Sequence, residues 1–259
     1  MLPPYAGPTV FHLGPITLPL FGLLVTTGVF VGHAVAMRFG REKGIDVEGL
    51  RDAAAWAVGA GFLGAHVFDV VLSHPEKFSR DGILTLVKIW DGISSYGGFF
   101  GALAGLAYYF WRQGRSWWAE ADALVVGLVF GWLFGRLGCT LTSDHVGHLS
   151  TFPLAFAYPH GARHNLGFYE LAYTALVIVP AVAWQRGRDR GHGYRAGTYI
   201  ALVCALYAPV RFGLDFLRAT DIEVPDPRWL GLTAAQYSSV LLFALAAWMF
   251  ARLSRRAAA

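Results

Sequence analysis

The stretch Ala123-Leu-Val-Val-Gly-Leu-Val-Phe-Gly-Trp-Leu-Phe-Gly-Arg-Leu-Gly-Cys139 is apolar except for one arginine, Arg136. A second stretch, Ala201-Leu-Val-Cys-Ala-Leu-Tyr-Ala-Pro-Val-Arg-Phe-Gly-Leu-Asp215, repeats the pattern around Arg211. The guanidinium keeps its charge, because its pKa is about 12.5 or higher. Placing it near the centre of a bilayer costs roughly 3 kcal/mol on insertion scales. Arginines in such segments face a polar cavity and a partner. The first expectation is therefore an enzyme or carrier for an anionic lipid.

Working outward, the whole chain reads as membrane-embedded. Hydrophobic residues make up 55% and charged ones 15% of the chain, with nine Trp and nineteen Phe. A spanning helix needs about 20 mostly apolar residues. Seven candidates meet or approach that length: Ile16–Ala36, Ala53–Leu72, Tyr96–Trp111, Ala121–Leu141, Phe168–Trp184, Ala196–Leu217 and Leu232–Ala251. The expected fold is all-α and polytopic, with residues 1–259 forming one membrane domain. Residues 1–15 carry Pro3, Pro4, Pro8 and Pro15 but no Lys or Arg. The positive region of a cleavable leader is missing, so the first span is expected to be retained.

Basic residues alternate between the two sides. Arg38, Arg41, Lys43, Arg51, Arg112, Arg115, Arg186, Arg188, Arg190, Arg195, Arg252, Arg255 and Arg256 share one side. Lys77, Arg80, Lys88, Arg163 and Arg228 share the other. Thirteen against five puts the N-terminus outside and the C-terminus in the cytoplasm. The net charge of +4 is thus a topology signal and implies no nucleic-acid partner. The two cysteines, Cys139 and Cys204, fit no zinc spacing.

Counting depth at about 1.5 Å per residue gathers the unusual polar groups at the outer leaflet. Arg136 and Arg211 lie in the outer parts of their spans. Asp215 and Arg218 follow Arg211 by four and seven residues, on one helical face. Tyr96 opens the third span at the outer surface. His66 and Asp69 lie in the outer half of the second span. Asp144, His145, Tyr169 and Glu170 sit at outer span ends. A lattice of ion pairs joining helices is the structural alternative. Gly97 and Gly101 stand four apart, suiting close helix packing or approach to a headgroup. The loop histidines His145, His148, His160 and His164 share no ligand spacing. They read as polar loop groups, with no metal and no cofactor expected.

With those residues in place, the chain resembles the prolipoprotein diacylglyceryl transferase family from Gly14 to about Ser239. Gly14-Pro-Ile-Thr-Leu-Pro-Leu-Phe-Gly22 resembles the family's entry to its first helix. Trp90-Asp-Gly-Ile-Ser-Ser-Tyr-Gly-Gly-Phe-Phe-Gly101 stands where the family has Trp followed by Gly-Met-Ser-Phe-His-Gly-Gly. Gly135-Arg-Leu-Gly138 is similar to the signature Gly-Arg-Ile-Gly-Asn. His164-Asn-Leu-Gly-Phe-Tyr-Glu170 is similar to His-Pro-Thr-Gln-Leu-Tyr-Glu. Arg211-Phe-Gly-Leu-Asp-Phe-Leu-Arg218 matches Arg-Phe-x-x-Glu-Phe-x-Arg, and Leu232–Ser238 matches the start of the last helix.

The resemblance implies transfer of diacylglyceryl from phosphatidylglycerol to the lipobox cysteine of a preprolipoprotein, at the outer face of the bacterial inner membrane. It implies a signal-peptide partner and no soluble cofactor. Retained positions are Arg136, Gly138, Gly147, His164, Tyr169, Glu170, Arg211, Arg218 and Gln236. Departures are Phe21 for Tyr, His66 for Arg, Tyr96 for His, Cys139 for Asn, and Asp144 and Asp215 for Glu. Asn165 and Gly167 replace Pro and Gln.

Tyr96, Arg136, Asp144, Arg211 and Asp215 are the expected catalytic residues. Phe21, His66, Gly97, Gly98, Cys139, Gly147, His164, Tyr169, Glu170, Arg218 and Gln236 are the expected substrate-binding ones. Arg136 and Arg211 are expected to face one cavity, with Tyr96 lining it. Arginine forks suit a departing phosphate because they bind its oxygens bidentately and stay charged. The acceptor thiol, with a free pKa of about 8.5, needs a base or a positive field. With the family's His replaced, the proton falls to Tyr96, Asp144, Asp215 or His164. Two other readings stay open: the same lipid donor with another acceptor, or a phospholipid-binding protein without catalysis.

Overall fold

The computed structural model describes residues 7, 9–14, 16–77, 82–86, 88, 92, 94–114, 117–223 and 225–258. Pro3, Pro4, Pro8 and Pro15, Arg80, Arg115, Trp90 and Asp91 lie outside the described residues.

Seven long helices form among the described residues. They are α1 (Leu20–Glu42), α2 (Val47–Phe68), α3 (Ser95–Gln113), α4 (Trp118–Thr142), α5 (Leu166–His192), α6 (Thr198–Leu214) and α7 (Ala234–Ala258). Six are long and apolar enough to cross a membrane, all but α3. At 19 residues α3 reaches about 28 Å, close to the hydrocarbon thickness. The protein is thus an all-α, multi-pass membrane protein.

The first span starts later than its hydropathy suggests. Ile16–Pro19 forms strand β2, paired antiparallel with β1 (Val10–Leu13), and the helix begins only at Leu20. The fifth runs eight residues past Trp184, to His192. Apolar counting stops where the hydrocarbon ends, whereas the helix continues with Arg186, Arg188 and Arg190 into a polar zone.

The contacts divide the chain into two compact units, Met1–Phe39 with Ala121–Ala259, and Gly40–Glu120. In the second unit α2 and α3 pack through small residues. A Cβ at Gly97 would collide with the Gly64 carbonyl and the Phe68 Cβ, and one at Gly101 with the Ala60 carbonyl. Asp46 caps α2 by accepting from the amides of Glu48 and Gly49.

In the first unit α1 and α4 meet through a similar seam. A Cβ on Gly28 would stand 2.6 Å from the Gly131 carbonyl, and one on Gly127 would collide with the Gly32 carbonyl. Close backbone approach of this kind favours helix association in lipid, where burial of apolar surface gives no drive. The start of α6 is tied to α4 by Asp122. Its buried carboxylate accepts from the amides of Gly197 (2.7 Å) and Ile200 (2.9 Å) and from the Tyr194 hydroxyl (3.1 Å). Two of the first amides of α6, which have no partner within the helix, are thereby satisfied.

Between α4 and α5 the chain forms a small antiparallel sheet in the order β3 (Val146–Leu149), β5 (Gly161–Asn165), β4 (Phe156–Tyr158). A two-residue turn joins β6 (Arg228–Trp229) to β7 (Leu232–Thr233) just before α7. These short strands were not legible from hydropathy.

Candidate active site

The site grows from one carboxylate. Glu170, in the first turn and a half of α5, is 2% exposed. Its Oε2 lies 3.0 Å from Arg136 Nη2 and accepts from the Tyr207 hydroxyl at 2.8 Å. Its Oε1 lies 3.6 Å from Arg211 Nη1. Arg136 and Arg211 therefore meet at one level, as depth counting expects, and both are buried. Trp132, one turn before Arg136, presents its ring 4.4 Å from the guanidinium carbon. Arg136 Nε and Glu170 Oε1 are buried and make no hydrogen bond to another described residue.

Asp215 extends the cluster. It accepts from Arg211 Nη1 at 2.6 Å and from Arg218 Nε at 3.1 Å. The expected single helical face is only half the reason. The helix tightens to a 3-10 turn over Asp215–Leu217, and Arg218 is already extended at φ −67° and ψ 133°. Arg218 also donates to Asp226 at 2.6 Å. The other Asp215 oxygen accepts from Thr233 Oγ1.

Thr233 is the cap of α7. Its Oγ1 accepts from the Gln236 amide at 3.2 Å, and Gln236 Oε1 accepts from the Thr233 amide at 3.0 Å. This reciprocal pair is the capping box that Thr233-Ala-Ala-Gln236 spells. Gln236 Nε2 donates to the Phe212 carbonyl. Gln236 thus binds protein on each side chain atom, and it reaches the cluster through Thr233.

Cys139, one turn after Arg136, is buried and receives a long contact from Arg136 Nη1 at 4.0 Å. Cys139 Sγ, a carboxylate oxygen of Asp144 and a ring nitrogen of His145 lie within 4.8 Å of one another. Arg218 Nη2 is 3.5 Å from His145 Nδ1. Two guanidiniums beside these donors make the group a poor cation site and a good anion or hydrogen-bonding site. Asp144 has a side chain 44% exposed, and its partial desolvation raises its pKa, with Arg136 pulling the other way. Burial, with Arg136, Arg218 and Arg211 nearby, holds His145 well below the usual histidine range.

The sheet frames this cluster. Gly147 bridges to Arg218, and a Cβ on it would meet the His164 Cβ at 2.6 Å. Phe21 fills the space over Gly138, where a Cβ would stand 2.9 Å from the ring. Arg163 forms a two-pronged pair with Asp221, at 2.9 and 2.7 Å, which holds the Asp221 carboxyl at about 2. His164 Nδ1 and the Tyr169 hydroxyl are 2.8 Å apart, and burial lowers the His164 pKa. That pair lines an open apolar groove of about 610 Å³ with Phe152, Leu154, Phe168 and Leu176.

The remaining expected residues belong to the second unit. His66 is buried, with ring nitrogens 3.0 Å from the Thr85 carbonyl and 3.4 Å from the Gly92 carbonyl. Tyr96 is 42% exposed at the start of α3. Gly97 and Gly98 face α2, Gly98 lying over Ala65 and Gly61. Sequence reading missed Thr233, Tyr207 and Asp226. Only Thr233 carried a signal, the Thr-x-x-Gln cap.

Comparison with known proteins agrees with the geometry. The family model for prolipoprotein diacylglyceryl transferase matches residues 8–252. The chain belongs to the prolipoprotein diacylglyceryl transferase family. A phosphatidylglycerol–prolipoprotein diacylglyceryl transferase of Frankia casuarinae is 33% identical over 90% of this chain and 58% of its own length. Enzymes of the same name from Sinorhizobium medicae and Nitratidesulfovibrio vulgaris are each 27% identical. They are covered over 95% and 94% of their lengths, by 99% and 96% of this chain. Membership makes the chain a diacylglyceryl transferase by family.

Proposed function

We propose that the protein moves diacylglyceryl from phosphatidylglycerol to the lipobox cysteine thiol of a preprolipoprotein. The observation that carries this is the pairing of Arg136 and Arg211 through Glu170, in a wall that also holds Arg218. The sulfur attacks the glyceryl carbon next to the phosphate, a C–S bond forms, and the C–O bond breaks. The electron pair stays on the departing glycerol phosphate, and the thiol proton goes to a base.

Arg136, Arg211 and Arg218 stabilise the charge gathering on the phosphate. Preorganised donors in a water-poor site are worth about 3–4 kcal/mol each. Glu170 and Asp215 hold the three guanidiniums apart and aimed before lipid arrives. Asp144 takes the thiol proton. It stands beside Cys139 and Arg136, and a raised carboxyl pKa makes it a stronger base than a free aspartate. The open groove beside His164 and Tyr169 takes an apolar portion of a substrate. The site opens to the outer leaflet of the bacterial inner membrane, the orientation that the basic residues favour.

The test is to incubate pure protein with labelled phosphatidylglycerol and a lipobox peptide, and to analyse the peptide by mass spectrometry. A diacylglyceryl thioether is the expected product. Released glycerol phosphate with an unmodified peptide would point to another acceptor. Binding without turnover would refute the transfer.

A further inference from the structure

The tip of the β6–β7 hairpin, Trp229 to Gly231, has a part in none of the chemistry above. Its turn is Leu230-Gly231, with φ of +49° and +82°. A turn with positive φ at both central residues is ordinarily Asn-Gly, because a branched side chain is strained there. Here a leucine occupies the strained position and is 98% exposed, with Trp229 beside it 55% exposed. The fold thus holds two large apolar side chains away from its own surface.

What covers them follows from their place in the chain. The membrane-crossing helix α7 starts at Ala234, four residues after Leu230. Tyr237, in its first turn, donates its hydroxyl to the Trp229 carbonyl at 2.7 Å. Phe216, near the end of the α6 span, is 51% exposed. Trp and Tyr collect at span ends, where the ring sits at headgroup level. We propose that Trp229 and Leu230 insert into the bilayer surface on the arginine-cluster side, as a lipid anchor. Both strands of the hairpin end on Asp215. Arg228 Nη2 lies 3.4 Å from the Asp215 carbonyl, and Thr233 Oγ1 donates to its carboxylate. The hairpin that carries the anchor is therefore tied to the arginine cluster at Asp215.

The test places an environment-sensitive fluorophore at the tip through Leu230→Cys, with the full protein in phosphatidylglycerol-containing nanodiscs. The unsubstituted protein, treated alike, measures labelling at Cys139 and Cys204. A blue-shifted emission, lost when nitroxide-labelled lipid is added, is the expected result. Water-like emission that nitroxide lipid does not quench would overturn the proposal. So would emission that changes only when a lipobox peptide is added, which would assign the tip to the peptide. Should Leu230→Cys fail to fold, Trp229→Cys probes the same depth from the next residue, with the same two readings.

Discussion

Glu170 stands between Arg136 and Arg211, its Oε2 3.0 Å from one guanidinium and its Oε1 3.6 Å from the other. Two buried arginines facing one position would repel one another. The shared carboxylate neutralises part of that charge while leaving Arg136 Nε unbonded among the described residues. Glu170→Gln removes the charge and keeps the shape. Breaking a buried pair from one side costs about 3–5 kcal/mol. The thermal midpoint in detergent should fall well below that of the unsubstituted protein. An unchanged midpoint would mean that the pair contributes nothing to the fold.

Arg136→Lys and Arg211→Lys separate charge from geometry. Lysine keeps a point charge but loses the planar fork that grips two oxygens. Each change should slow transfer by roughly 10²–10³-fold, the range for losing one preorganised donor. Binding of phosphatidylglycerol should weaken less than the rate does. Full activity in either lysine variant would show that only charge is needed there.

The proton assignment is separable by two variants. Asp144→Asn should lower the transfer rate by about 10²–10⁴-fold, as expected for a general base. Tyr96→Phe should have the smaller effect, and Tyr96→His should keep or raise transfer, since imidazole titrates near neutral pH. If Tyr96→Phe proves the more damaging, the base belongs on α3 and Asp144 has another task.

Much of this is legible in the sequence. Seven long helices, six of them apolar enough to span, and the shared level of Arg136 and Arg211 follow from hydropathy and counting, because lipid forces long apolar helices. What counting could not supply was pairing. Glu170 reads as one more polar residue at a span end until packing sets it against two arginines from α4 and α6. The strand Ile16–Pro19 reads as the start of a span, since four apolar-rich residues look alike in either state. Gly97 illustrates the same ambiguity. Its spacing suits helix packing or a headgroup, and its neighbours Gly64 and Phe68 show the packing.

The α7 cap tests whether Asp215 is held from outside its own helix. Gln236→Ala removes one arm of the capping box and should cost about 1 kcal/mol of stability. Thr233→Ala removes the cap and the donor to Asp215 together, so it should cost more and also slow transfer. Thr233→Ser restores both bonds and should rescue both readouts. Equal activity in Thr233→Ala and the unsubstituted protein would detach Asp215 from the mechanism.

His145 gives a pH signature. It faces Arg136, Arg211 and Arg218, with Asp144 and Asp215 on the other account, and its folded pKa lies below the usual value. The unfolded chain then binds the extra proton first. Its contribution to stability is fully present above about 6.5 and is lost as the pH falls towards the depressed pKa. Melting curves between about pH 5 and 7 should show a loss on acidification that His145→Gln reduces. The same slope in both proteins would mean that His145 is not the group that resists protonation.

The central claim is that thiol attack and departure of glycerol phosphate are one event at the Arg136–Arg211 cluster. The direct measurement is a single-turnover reaction with doubly labelled phosphatidylglycerol, counting thioether on a lipobox peptide against glycerol phosphate released. The expected result is one for one, with neither product when the peptide cysteine is replaced by serine. Glycerol phosphate released at the same rate with the serine peptide would contradict it.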